Sequence, residues 1–322
     1  MNMRSFRVTS HDAPPALELM PIPRPEPGQI GVRIHACGLN FADLLMMSGR
    51  YQDTPPLPFT LGLELSGVVD ALGDGTKGPA IGTRVAIYAG QGGLAEYGVF
   101  DAARALPLPD GMTYEAAAAF QIAYGTSHLA LAHRARLKEG ETLLVLGAAG
   151  GVGLTAVEIG RAMGARVIAC ARGKDKLNAA RAAGAHELID SDTGDLRSIV
   201  KDLGGADVVY DPVGGDQFNA AFRACRPEAR ILTIGFASGD VPQIPANHLL
   251  VKNLTVMGLY WGGYLGFAPD VLTGSLATLL DWAAEGRIAP HSHHTYPLER
   301  AGEALELLRA RKSTGKVVVT MG

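Results

Sequence analysis

The chain has 322 residues, 47% of them hydrophobic and 19% charged, with a formal net charge of −3. That length suits about two domains, and the balanced charge offers neither the basic field of a nucleic-acid binder nor a strongly acidic tail. Three cysteines, Cys37, Cys170 and Cys225, lie far apart without C-x-x-C spacing, which argues against a structural zinc site or a disulfide framework and fits a reducing cytoplasm.

The opening residues, MNMRSFRVTSHDAPP, hold no apolar run of the secretory type, and no stretch reaches the ~18 apolar residues of a membrane span. From there the chain reads as β-rich. Apolar runs at 30–38, 55–73 and 82–90 are separated by Pro and Gly punctuation. Val32, Ile34 and Ala36 alternate with Arg33 and His35, the period of a half-buried strand. Residues 41–47 form a short helix closed by Gly49. Near Tyr114 the character changes: 115–135 is rich in Ala and Leu, lacks Pro, and predicts one helix.

Strands and helices then alternate. Strands are expected at 141–147, 165–171, 186–190, 206–214, 229–235 and 253–259, with helices at 151–164, 174–184, 195–205 and 216–226. Apolar strands alternating with helices mean a parallel sheet covered on both faces. Helices at 269–286 and 299–311 and a last strand in GKVVVTMG return to the mixed pattern. The expected organisation is α/β: a discontinuous β-rich domain, 1–120 and 261–322, with a doubly wound nucleotide domain inserted at 121–260.

The strand 141–147 runs straight into GAAGGVG and a helix, the context in which a glycine-rich turn signals a dinucleotide. Gly147 and Gly150 permit the turn, Gly151 removes a Cβ where the backbone meets the pyrophosphate, and Gly153 lets the helix pack closely. Gly150, Gly151, Val152 and Gly153 are therefore the expected pyrophosphate ligands, at a helix N-terminus that favours anions. An ordinary strand–helix turn is the alternative. About 20 residues on, an acid at the end of the second strand would bind a ribose 2′-hydroxyl. Here stands Ala171-Arg172-Gly173-Lys174-Asp175-Lys176, with cations in place of the acid. Arg172 and Lys176 suit a 2′-phosphate, so the expected cofactor is NADPH; the alternative is a solvated helix start.

Whole-chain strings add to this: VRIHACGLNFADLLMMSGRY (32–51), PPLPFTLGLELSGVV (55–69), GTRVAIY (82–88), GGLAEYGVF (92–100), AAAAFQIAYGTSHLAL (116–131), LGAAGGVG (146–153) and STGKVVV (313–319). In this order they resemble the medium-chain dehydrogenase/reductase superfamily, within it the NADPH:quinone oxidoreductases related to zeta-crystallin. The resemblance implies a GroES-like catalytic domain plus a Rossmann domain, with the active site in a cleft between them. The zinc enzymes of that superfamily place ligands in G-x-C-x-x-D and G-H-E motifs. This chain has Asn40 and Leu63 there, and Gln121 and Ile122 near the third position. None supplies the N, S or carboxylate donor that zinc needs, so a metal-free enzyme is expected.

Without a Lewis acid the hydride acceptor must delocalise charge by itself, as a quinone or a conjugated carbonyl does. By resemblance Asn40 and Asp43 lie near the nicotinamide and Tyr51 near the mouth, as a hydrogen-bond or proton donor. A turn or cap role for Asn40, and a surface turn for Tyr51, stay open. Related reductases often carry a Tyr where this chain has Leu45. Resemblance further places Tyr124, Thr126, Gly235, Phe236, Tyr260 and Trp261 around the nicotinamide, and Arg311 near the 2′-phosphate. For the aromatic residues core packing is the alternative, for Arg311 a solvated helix end. His291, His293 and His294 read as a surface loop, and Cys37 as a small buried side chain. The expected function is NADPH-dependent quinone reduction, with enones or enoyl thioesters as alternative acceptors and an NADPH-binding protein of little turnover as the reading from another class. Family members pair through the edge strand of the nucleotide sheet, which 253–259 would supply for a homodimer.

Overall fold

The computed structural model describes residues 2–290 and 293–322. The chain divides into two compact units, Met1–Ile122 with Pro290–Gly322, and Ala123–Ala289.

The first unit is built on two sheets. Seven strands make the larger one. Six of them run in the order His294–Pro297, Val317–Thr320, Gln29–Leu39, Glu64–Leu72, Arg84–Tyr88 and Ala105–Pro107, while Tyr97–Asp101 also pairs with Gln29–Leu39. The alternation of Val32 and Ile34 with exposed Arg33 is kept, and the apolar set fills a core with Leu65, Ile87 and Val319. From Ala36 to Leu39 burial becomes continuous. At Gly38 a Cβ would sit 2.1 Å from the carbonyl oxygen of Ala118, so that close approach requires glycine. The C-terminal strand pairs antiparallel with the same segment, Val319 opposite Cys37, and closes the unit. A three-stranded sheet, Ala16–Pro21, Asn2–Val8 and Phe59–Thr60, completes it.

The second unit carries six parallel strands: Thr142–Val145, Arg166–Ala171, Glu187–Asp190, Ala206–Asp211, Cys225–Thr233 and Thr255–Gly258. Their spatial order is third, second, first, fourth, fifth, sixth, the doubly wound order of dinucleotide-binding sheets. Leu144, Ile168, Val209 and Ile231 meet Phe218 and Phe222 in the core on one face. The order reverses between Thr142–Val145 and Ala206–Asp211, which places the ligand crevice outside their carboxyl ends.

Two expectations are corrected. The Ala-rich stretch is not one helix: it divides into Tyr114–Ala118 and Gln121–His128, then widens into a π-helical turn, Leu129–Arg134. The break coincides with the boundary between units, a tertiary demand that outweighs propensity. The inserted unit also extends to Ala289, not to 260. Helix Pro269–Ala284 turns Leu272, Leu276 and Leu279 inward, and its Ser275 Oγ lies 2.7 Å from Nδ1 of His128, itself met edge-on by Trp282. Its apolar face is thereby covered within the second unit.

Candidate functional site

In the second unit the first strand ends at Val145, and the turn that follows bends at Gly147 with φ +56°. Helix Gly151–Ala162 starts at Gly150, and no side chain among the described residues caps it. The first-turn N–H groups of Gly151, Val152 and Gly153 thus form a donor array of the kind that binds anions. A Cβ at Gly153 would lie 2.1 Å from the Gly147 carbonyl oxygen, so glycine is obligatory there for helix and turn to meet. The expected pyrophosphate ligands are brought together.

Beyond the second strand, Gly173 turns with φ +75°, and a Cβ there would meet nothing within 4 Å. The turn is pinned by the next strand: Asp190 Oδ1 accepts from Gly173 N at 3.2 Å and from Asp192 N at 3.1 Å, and Ser191 N donates to Ala171 O at 3.0 Å. Arg172 Nε donates to Asp192 Oδ1 at 3.1 Å. Burial, and next the charge of Arg172, hold the Lys176 ammonium below its ordinary pKa. Two cations therefore share one turn, with room over Gly173 for an anion.

At the end of the fourth strand stands a residue that motif reading passed over. Asp211 is fully buried. Its Oδ1 accepts from Val213 N at 2.7 Å and Gly214 N at 2.9 Å, while Oδ2 has no hydrogen-bond partner among the described residues. Burial raises its pKa, opposed by those two N–H groups. The turn it nucleates is zipped to the loop after the fifth strand, with Ala237 N on Pro212 O and Ser238 N on Val213 O. Gly235 and Phe236 are set by this zipper, and Phe236 stays 39% exposed, open to a ligand. Trp261 is buried, and a Cβ on Gly125 would lie 2.7 Å from its Nε1, so the indole packs on the helix that carries Tyr124 and Thr126. Tyr260 is half-exposed.

Tyr124 is engaged by a neighbouring carboxylate. It is buried, and its hydroxyl donates to Glu158 Oε2 at 2.6 Å. Glu158 Oε1 accepts from Ala289 N at 2.6 Å, and Thr155 Oγ1 donates to Ala123 O at 3.0 Å. Thr155 and Glu158 thus hold the first and last residues of the second unit on one face of the glycine-loop helix.

In the first unit Asn40 and Asp43 are tied into a hydrogen-bonded cluster. Asn40 Nδ2 donates to Gly38 O at 3.2 Å and to Glu64 Oε1 at 3.0 Å, and its Oδ1 accepts from Lys316 Nζ at 2.7 Å. Both amide hydrogens are used internally, leaving none for a substrate. Asp43 is fully buried, its oxygens accepting from Asn40 N at 2.8 Å and Gly62 N at 3.2 Å. Burial, though opposed by those bonds, lifts its pKa to about 7. Lys316 and Glu64, unassigned from the sequence, form the centre of this cluster. Lys316 Nζ, 2.7 Å from Glu64 Oε1, also donates to Leu39 O at 2.8 Å, and Glu64 Oε2 accepts from Ile122 N at 2.8 Å.

Tyr51 is half-buried against the same core. Burial first, then Tyr88, Asp53 and Asp43, push its pKa far above the usual tyrosine value, so its hydroxyl keeps its proton at neutral pH. Burial likewise pushes Tyr88 up to about 12. Arg311 belongs to this unit, on a left-handed turn with φ 54°. His291 lies outside the described residues; His294 begins a strand, and its Nε2 accepts from Thr314 N at 3.2 Å.

The comparisons with known proteins agree with this architecture. The alcohol dehydrogenase GroES-like domain matches residues 26–110, and the zinc-binding dehydrogenase family matches residues 151–284. Quinone oxidoreductase-like protein 2 of Bos taurus is 40% identical over 304 residues, covering 93% of this chain and 87% of its own length. The chain belongs to the medium-chain dehydrogenase/reductase superfamily, in its quinone oxidoreductase branch. Among solved members of the superfamily, the quinone oxidoreductase of Thermus thermophilus, determined alone and with NADPH, superposes with a TM-score of 0.89 at 34% identity, covering 99% of this chain and 100% of its own. The human synaptic vesicle membrane protein VAT-1 homolog is 32% identical over 318 residues, 93% of this chain and 81% of its own length.

A superfamily zinc does not fit the residues present. Leu63 is a buried hydrocarbon, the amide of Asn40 is spent internally, and the side-chain oxygen of Gln121, oriented as its neighbours require, accepts from Ile87 N at 2.8 Å. Among the described residues no group of three His, Cys, Asp or Glu side chains is placed to hold a metal. A dinucleotide does fit, on the uncapped helix and on the open space over Gly173.

Proposed function

We propose that this chain is an NADPH-dependent reductase that passes hydride to a quinone. The reading is carried by the uncapped glycine-loop helix together with Arg172 and Lys176 one strand further on. The first-turn N–H groups of Gly151, Val152 and Gly153 hold the pyrophosphate, and Arg172 and Lys176 the 2′-phosphate. Phe236 and Tyr260, with Gly235 and Trp261 behind them, flank the nicotinamide. Bound NADPH supplies the hydride. The residues that could present a Lewis acid are absent at Asn40 and Leu63, so the acceptor must carry the arriving charge on its own conjugated oxygens. By the family resemblance the Tyr51 hydroxyl, protonated at neutral pH, is the candidate hydrogen-bond donor to that oxygen.

NADPH oxidation measured against a benzoquinone, a naphthoquinone, an enone and an enoyl-CoA tests the assignment. Quinones turned over fastest support it. Preference for the enone or the thioester moves the acceptor class, and no turnover with tight NADPH binding makes the chain a binding protein. Tyr51→Phe should lower quinone turnover about 100-fold with NADPH affinity unchanged; full turnover would remove Tyr51 from the chemistry. We further assign a homodimer through the edge strand Thr255–Gly258, beside which Leu250 and Val251 are 79% and 77% exposed. Sedimentation as a monomer at micromolar concentration would refute it. Three buried, unpaired cysteines support a cytoplasmic protein.

A further inference from the structure

Arg172 meets a competitor before any nucleotide arrives. Its Nε donates to Asp192 Oδ1 at 3.1 Å, so the guanidinium that would bind a 2′-phosphate already has an anionic partner. This pairing is built into the backbone. Asp190, the last residue of its strand, accepts from the N–H groups of both Gly173 and Asp192 through a single oxygen, Oδ1. Its carbonyl accepts from Gly194 N at 2.9 Å, and Ser191 N reaches back to Ala171 O at 3.0 Å. The turn carrying Arg172 and the turn carrying Asp192 are therefore stapled side by side.

The charges around this point are mixed. Arg172 and Lys176 are close enough that the charge of the first depresses the pKa of the second. Lys174 and Asp175 lie in the first turn of the same helix. Across from them stand Asp190 and Asp192. Within this group, Asp192 is the carboxylate that engages the guanidinium. Asp192 occupies Nε of Arg172. A phosphate must therefore either displace it from that nitrogen or share the guanidinium with it through the other N–H groups, and in both cases tolerates it as a neighbouring negative charge.

We propose that Asp192 is a specificity-setting residue of the adenosine end, competing with a ribose 2′-phosphate for Arg172 and thereby holding down the preference for the phosphorylated dinucleotide. The proposal rests on the NADPH reading above. Both side chains are more than half exposed, 66% and 54%, so the pair is weak and the competition modest. Exposed pairs of this kind correspond to about a two- to five-fold change in affinity, declining with added salt.

The probes are 2′,5′-ADP and 5′-AMP, which differ only in the phosphate and bind without the nicotinamide half, so the readout is calorimetric affinity and not turnover. Asp192→Asn is isosteric, and among the described residues the carboxylate it replaces contacts Arg172 alone, so the fold is retained and a matching thermal transition verifies that. The variant should bind 2′,5′-ADP about two- to five-fold more tightly at low salt, with 5′-AMP unchanged. In an Arg172→Ala background the same substitution should gain less, which a double-mutant cycle reads directly. Unchanged or weaker 2′,5′-ADP binding in Asp192→Asn overturns the proposal. Weaker 5′-AMP binding overturns it too, because Asp192 would then be a ribose ligand. Wild-type binding of 5′-AMP without 2′,5′-ADP defeats the NADPH reading instead; if Asp192→Asn then restores 2′,5′-ADP binding, the competition stands, and if it does not, both fall.

Discussion

Replacing Lys316 by Met removes one half of a buried ion pair and leaves the other half stranded. Lys316 is 5% exposed and Glu64 fully buried, and the ammonium donates to three acceptors: Leu39 O, Asn40 Oδ1 and Glu64 Oε1. Breaking such a pair from one side costs about 3–5 kcal/mol, mostly for the uncompensated charge left behind. At roughly 2–4 °C per kcal/mol for a protein of this size class, the first unit should melt about 6–20 °C lower. The companion variant Glu64→Gln/Lys316→Met removes both charges and keeps a side-chain acceptor for Ile122 N. It should recover about half or more of the loss, since replacing both partners of a buried pair is often close to neutral. Urea unfolding followed by circular dichroism measures both variants. A single-variant cost below about 1 kcal/mol, the range of an exposed pair, would refute the reasoning, as would a double variant no better than the single.

Three further outcomes follow from the geometry. Gly153→Ala sets a Cβ 2.1 Å from Gly147 O and 2.9 Å from Ala148 Cα, both backbone atoms that cannot rotate away. NADPH affinity should fall at least about tenfold, with about 1–3 kcal/mol of overpacking; a fluorescence titration matching wild type would count against the cradle. Asp43, with a folded pKa of about 7 against ~3.9 unfolded, contributes stability that is complete below about pH 4 and lost as pH rises through about 7. Wild-type stability relative to Asp43→Asn should therefore decline across that window, by at most ~1.4 kcal/mol per pH unit, and a flat difference in urea titrations would exclude the effect. Glu158→Ala removes the two hydrogen bonds that the carboxylate accepts from the Tyr124 hydroxyl and Ala289 N–H, bonds to a charged group at about 1.5–3 kcal/mol each, while Glu158→Gln should lose less than half as much. Equal losses in thermal unfolding would show that the carboxylate's charge, not its two acceptor sites, matters.

Local pattern was enough for much of the second unit. The strands and helices from 141 to 235 alternate with clear glycine punctuation, and the glycine loop carries its reason within seven residues. The helix at 115–135 was misread because Ala promotes helix everywhere, whereas the break before Gln121 answers to packing on distant strands. Helix Pro269–Ala284 shows an apolar face, but a face does not say which unit covers it; that decision lies with His128 and its neighbours, 147 residues from Ser275. The same holds for the site. Lys316 is 252 residues from Glu64, and no spacing rule joins them, so Asn40 looked available when its amide is fully engaged. Asp211 was hidden for another reason, being a strand-end acid whose importance comes from burial alone.

The grip of one helix on both ends of the second unit bears on how such a chain can be rearranged. Ala123 and Ala289 are held by Thr155 and Glu158, three residues apart, so the segment begins and ends within about one helical turn, ~5 Å of axis. A stretch whose two ends are anchored side by side on one helix suits a cassette: it can be set into a host loop with little stretching of either partner. Bridging its two ends with a few glycines and reopening the ring at an exposed turn such as Gly239 would give a circular permutant with the whole parallel sheet intact.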